Sequence, residues 1–239
     1  MTDSTDMTDT PGALGFLAAL QLADSAFPSG GFALSHGLES LVQAGSVYDE
    51  ATLTDAIRTM IVGQVGPTDA VALVGAHRAA RTGDDTTLWA VDRALLATKL
   101  ARESRAASLR GGSRLLALAP QVTPSPIIAR FGDAIRAGTA RGMHPVVLGA
   151  LLAVLDVPEQ GAVLVFLHGI VTNLTGAALR LMRFDHEGAQ RVRTALAPLL
   201  VVQAGRARDT DWREMASAAP LWEVAAMRHP YAETRLFLS

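Results

Sequence analysis

The chain has 239 residues, with 23 acidic against 21 basic side chains and a net charge of −2, so it carries no basic footprint for nucleic acid. It has no cysteine, which excludes disulfides, zinc ribbons and thiol catalysis. Hydrophobic residues make up 49% of the chain but aromatic ones only 5%, so the core has to be filled by Leu, Val and Ala, which suits close-packed helices. A charged fraction of only 18% leaves little polar surface for a monomer and points to a large protein–protein interface.

The opening residues, MTDSTDMTDTPG, are acidic and polar, with neither a basic nor an apolar leader segment. Residues 1–11 read as a disordered N-terminus of a cytoplasmic protein. A first helix is predicted over 12–23. The run QLADSAFPSGGFALSHGLE (21–39) then breaks the helical pattern. Pro28 fixes φ and pushes Phe27 toward an extended conformation, and Gly30-Gly31 permit positive φ or close backbone approach. The result is a glycine-hinged corner between two helices, the second running from about 35 to 44.

Asp49 or Thr52 caps a third helix reaching to about 65, on which Leu53, Ile57, Met60 and Ile61 recur at helical spacing. Gly66-Pro67-Thr68-Asp69 reads as a break before a fourth helix at 69–81, and Gly83-Asp84-Asp85 as a turn before a fifth at 85–97. A longer helix at 99–118 carries Arg102, Arg105, Arg110 and Arg114. Those arginines suit either a solvated face or an acidic partner. Gly111-Gly112 in its middle would cost an isolated helix about 2 kcal/mol, so the pair predicts a close helix–helix approach or a kink.

Pro120 to Pro126 reads as a linker, with helices to follow at 127–138 and 146–154. The apolar run 161–182 has the length of a membrane span. His168, Thr172 and Asn173 interrupt it, however, so it is read as a buried helix or a dimer seam in a protein without membrane association. Helices at 189–203 and 221–227 and an extended tail complete the chain. Period-two alternation is scarce. The expectation is an all-α protein: a single globular domain of about ten helices over 12–232, with a C-terminal docking tail at 233–239.

The chemistry-bearing residues form no familiar constellation. The six histidines make no HxH or HExxH spacing, and His36, His144 and His229 are expected at the surface. Ser35 and His36 are adjacent, so their side chains diverge and make no nucleophile–base pair. Gly30-Gly31 lacks the lysine of a phosphate-binding loop. These observations favour a binding module over an enzyme and give no catalytic, cofactor-binding or metal residue.

The order of residues in the corner is more specific. Gln21, Leu22, Asp24, Pro28, Gly30, Gly31, Phe32, Ser35, Gly37, Leu38 and Glu39 fit the N-terminal signature of the UreF family of urease accessory proteins, which the chain resembles. A second match lies at the other end, where His229 is followed by Arg235-Leu236-Phe237-Leu238-Ser239. Between them, His144-Pro145 with Gly149, Asn173 with the run 177–181, and Gln190 resemble further family segments.

The resemblance implies an all-helical, homodimeric, cytoplasmic accessory protein with no enzymatic activity of its own. It would bridge the accessory protein UreD (UreH) and the GTPase UreG to deliver nickel to the apo-urease subunits, the metal being handled by the complex rather than held as a cofactor. An alternative role is regulation of the UreG cycle by a group supplied in trans. The implied partner-binding residues are Pro28, Gly30, Gly31, Phe32, Ser35, Gly37, Glu39, Arg180, Arg235, Leu236, Phe237 and Ser239, with the tail ordered against the corner.

Overall fold

Asp49 opens the most regular part of the molecule. Its side chain accepts from the Thr52 amide, and the Thr52 hydroxyl oxygen accepts from the Asp49 amide, so two otherwise orphaned donors are satisfied. The structure, a computed structural model, describes residues 10–24, 27, 34–229 and 236–237. Its helices in chain order are α1 (Thr10–Ala23), α2 (Leu38–Gln43), α3 (Glu50–Met60), a π-helix (Ile61–Ala70), α4 (Val71–Thr82), α5 (Asp85–Thr98), α6 (Arg102–Val122), α7 (Pro126–Arg136), α8 (His144–Val154), α9 (Glu159–Leu181), α10 (His186–Asp209), a short 3-10 turn (Trp212–Glu214) and α11 (Pro220–Arg228). There is no strand among the described residues, and the all-α expectation holds.

The predicted break at Gly66–Asp69 is not a break. Helical structure runs unbroken from α3 through the π-helix into α4, and Pro67 sits inside it. Proline withholds an N–H and would orphan a carbonyl one turn back. In this stretch the Gly63 carbonyl accepts from the Ala218 amide at 2.6 Å, and Thr68 Oγ1–H donates to the Gln64 carbonyl at 2.7 Å. The wider π turn carries Gln64, Thr68 and Asp69 into the interior. Such turns concentrate at functional sites.

α4 and α8 form the centre. Residues 71–77 of α4 and 145–153 of α8 are buried all round, the mark of a core helix rather than a surface one. Gly149 makes the close approach possible, because a Cβ there would overlap the Leu73 carbonyl oxygen. The Gly111-Gly112 expectation is met in the same way. A Cβ on Gly112 would overlap the Gly142 carbonyl oxygen, and one on Gly111 would press on the His144 ring, so α6 lies directly against the turn into α8. Asp92, fully buried on α5, holds that turn by accepting from the amides of Arg141, Gly142 and Met143.

α9 and α10 pack against each other and close one side of the core. α9 is long and apolar enough to cross a membrane by length and composition, but 56% of its apolar window is buried inside this fold. α10 continues to Asp209, past the end predicted near Gly205, and both it and α6 run through a proline (Pro198 and Pro120). Both prolines are exposed, where water can take the freed carbonyl, so the predicted linker begins only after Val122.

Candidate docking site

Two consecutive residues with left-handed backbone, His36 (φ 53°) and Gly37 (φ 96°), turn the chain sharply into α2. Histidine tolerates this region better than most side chains, and glycine occupies it without strain. Gly37 lies so close to α11 that a Cβ would sit 3.3 Å from the Ala226 nitrogen. The turn sends Leu38 and Glu39 inward, leaving Glu39 only 1% exposed.

A buried carboxylate needs donors, and Glu39 has three. His229 Nε2 lies 2.8 Å from Oε2, the Leu236 amide donates to Oε1 at 2.8 Å, and the Phe237 amide donates to Oε2 at 3.3 Å. The other ring nitrogen of His229 lies 3.0 Å from Glu103 Oε2 on α6. Ionised carboxylates only accept hydrogen bonds. The imidazole thus sits between two carboxylates, one at each ring nitrogen. Phe237 is buried, and the Arg180 guanidinium of α9 stacks over its ring at 4.1 Å from the centroid. Four elements distant in sequence are thus fastened at one point.

A cavity of about 100 Å³ lies alongside. Lys99 Nζ and both Asp69 carboxylate oxygens, 2.8 and 2.9 Å away, form a buried ion pair on its wall. Thr68 Oγ1 also lies 2.9 Å from Asp69 Oδ2. Glu223 of α11 accepts from the Gln64 side-chain amide and the Ala101 backbone amide. His36 and His144 also line the space. Some surface of each residue remains accessible, but both rings are packed deeply. Burial first, then the Lys99 cation, pushes His36 down to about 4. Burial likewise takes His144 to about 4, with Asp69 opposing. Both imidazoles are therefore neutral at neutral pH. Among the described residues no group of three or more His, Asp or Glu is arranged to hold a metal ion.

Of the sequence-predicted site residues, Pro28, Gly30, Gly31, Phe32, Arg235 and Ser239 lie outside the described residues. Ser35, Gly37 and Glu39 are brought to the same junction as Arg180, Leu236 and Phe237. Within this chain Ser35, Gly37, Glu39 and Phe237 are buried. Glu39 bonds residues 236–237 and Gly37 packs on α11, while Arg180 and Leu236, the latter 70% exposed, face outward. Of the predicted C-terminal tail, residues 236 and 237 are the described part, and both amides bond to Glu39.

His229, expected at the surface, is fully buried; its spacing from Leu236 and Phe237 was the signal available, and its partner Glu103 had none. The Asp69–Lys99 pair was also hidden, because Asp69 reads as a helix cap when the Gly66–Asp69 stretch is taken for a break. Of the four α6 arginines, Arg105 donates to the carbonyls of Lys99 and Leu100 at 2.7 Å each, while Arg102, Arg110 and Arg114 are exposed. Large apolar side chains are exposed on α1 (Leu14, Phe16, Leu17, Leu20) and on α11 (Leu221, Val224, Met227).

Fold and site together describe an all-helical protein whose C-terminal segment is fastened to its N-terminal part through one buried carboxylate. The sequence profile of the UreF family matches residues 47–197. A urease accessory protein UreF of Trichodesmium erythraeum is 34% identical over 92% of this chain and 95% of its own length. UreF 2 of Brucella abortus strain 2308 is 34% identical over 94% and 92%, and UreF of Photorhabdus laumondii 33% over 94% and 98%. The chain belongs to the UreF family of urease accessory proteins.

Proposed function

We propose that this chain serves urease maturation as a non-enzymatic adaptor in the cytoplasm, bridging a UreD/UreH-type accessory protein and a UreG-type GTPase so that nickel reaches apo-urease. The observation that carries the reading is the state of residues 236–237. The backbone of both residues and the Phe237 ring are secured, while the Leu236 side chain projects outward. A preordered segment with an exposed apolar side chain binds a partner at a smaller entropic cost than a free tail does. The apolar outer faces of α1 and α11 supply the further area that a stable complex and a homodimer need. Nickel is cargo of the complex in this reading, not a resident cofactor of the chain.

The test is co-purification from purified components. A tagged chain is expected to retain the UreD/UreH and UreG proteins together; a chain that retains neither refutes the adaptor role. A second reading, regulation of the GTPase, is favoured by Arg102, Arg110 and Arg114, which are exposed on one helix with no carboxylate bonded to them among the described residues. GTP hydrolysis by UreG that changes on adding the chain, and reverts with an arginine-to-alanine variant, would select it.

A further inference from the structure

The cavity beside the Asp69–Lys99 pair has a chemistry that the adaptor role does not use. Its wall takes His36 from the turn before α2, Ser104 from α6, His144 from α8 and Asn173 from α9. No hydrogen bond among the described residues engages either imidazole ring, the Ser104 hydroxyl or the Asn173 side-chain amide. Each neutral ring keeps one N–H and one lone pair, and the hydroxyl and amide likewise both donate and accept. Around them the wall is apolar, with Phe166, Ile170 and Trp222. A largely apolar pocket on which a few polar groups converge is the usual form of a small-molecule site.

We propose that this cavity binds a small uncharged amide of the size of urea. Charge and volume select that class. The Lys99 cation and the Asp69 anion cancel, and with both rings neutral the residues lining the cavity carry no net charge to balance an ion. Taking an ion out of water without a counter-charge is strongly unfavourable. At about 30 Å³ per water, a space of about 100 Å³ admits a molecule of about four non-hydrogen atoms. A purely apolar guest of that size would leave the ring nitrogens and the Asn173 amide unsatisfied. A carboxamide presents a planar NH2 to their acceptors and a carbonyl to their donors. The site stands whether or not the adaptor reading does, because it lies within this chain alone.

The experiment is NMR of the full-length chain, following the imidazole Cε1 protons of His36 and His144 during titration with urea and with acetamide. Acetate and guanidinium, of similar size but charged, are the comparison. Concentrations stay at about 0.1 M and below, where the denaturing action of urea is slight. Two variants reach the cavity from different helices. Asn173→Leu removes a polar group at a half-buried place on α9, while Ala107→Leu fills the space from α6 and leaves every polar group in place. Both amides are expected to move the two ring signals along a saturating curve, and the two ions to leave them unmoved. Each variant is expected to weaken amide binding at least tenfold; should one fail to fold, the other gives the same reading. Shifts that only grow linearly, or that keep full affinity in a folded variant, overturn the site. Acetate or guanidinium binding more tightly than the amides overturns the uncharged class. Ring signals that neither amide moves overturn both.

Discussion

Glu39 and His229, 190 residues apart in sequence, meet at 2.8 Å with both side chains out of contact with water. With Glu103 on the far ring nitrogen, the imidazole separates two carboxylates. Removing a buried hydrogen-bond partner leaves the polar groups around it unsatisfied at a cost of about 1–3 kcal/mol. His229→Phe, which keeps a ring in place and removes both ring nitrogens, is expected to lower unfolding stability by that amount. Urea denaturation at neutral pH measures it; a change below about 1 kcal/mol would show that the carboxylates are not held by the ring.

Arg180 offers a smaller and more local test. Its guanidinium lies over the Phe237 ring, an arrangement contributing about 1 kcal/mol. Arg180→Ala should therefore speed exchange of the C-terminal peptide roughly fivefold while leaving the global urea midpoint nearly unchanged, because a chain end detaches without unfolding α4 and α8.

The two glycine classes should respond with opposite signs. Gly112→Ala places a methyl on the Gly142 carbonyl and forces α6 away from the turn into α8, costing about 3 kcal/mol or more. Gly169→Ala, in the body of α9 with no atom within 4 Å of the added carbon, should stabilise by about 0.5–1 kcal/mol. Thermal unfolding of the two variants decides between close packing and a merely flexible residue.

The two cavity histidines predict an acid-sensitive fold. Both are held near 4 when folded, against 6.5 when unfolded. Between these values the unfolded chain binds more protons, so stability present above pH 6.5 is lost as pH falls toward 4. From pH 6.5 to 5 the loss is about 2 kcal/mol per ring at most. Urea midpoints at pH 7 and 5 should show it, and His144→Gln should remove about half of the difference. A wild-type midpoint unchanged between these pH values would contradict the assignment of neutral, buried rings.

Much of the fold was legible because it rests on local signals. The Asp49 cap, the apolar spacing of Leu53, Ile57 and Met60, and the all-apolar α8 each act within a turn or two. The Gly111-Gly112 pair announced a close approach without naming Gly142 as its target. What stayed hidden depends on distant atoms. Pro67 reads as a breaker, yet the wider π turn carries it inside a continuous helix. Asp69 reads as a cap until Lys99 is seen beside it. At the site, the motif order singled out Glu39, Leu236 and Phe237. Their mutual bonding, and the burial of His229 between Glu39 and Glu103, follow only from the packing of α2, α6 and α11, which no window of sequence contains.

The most direct test of the account is the nickel content of urease assembled with and without this chain. Urease subunits co-expressed with the remaining accessory proteins and the wild-type chain should approach full nickel occupancy per active site. Omitting the chain should leave most sites empty. Full nickel loading in the absence of the chain would contradict the claim that it is the adaptor on which delivery depends.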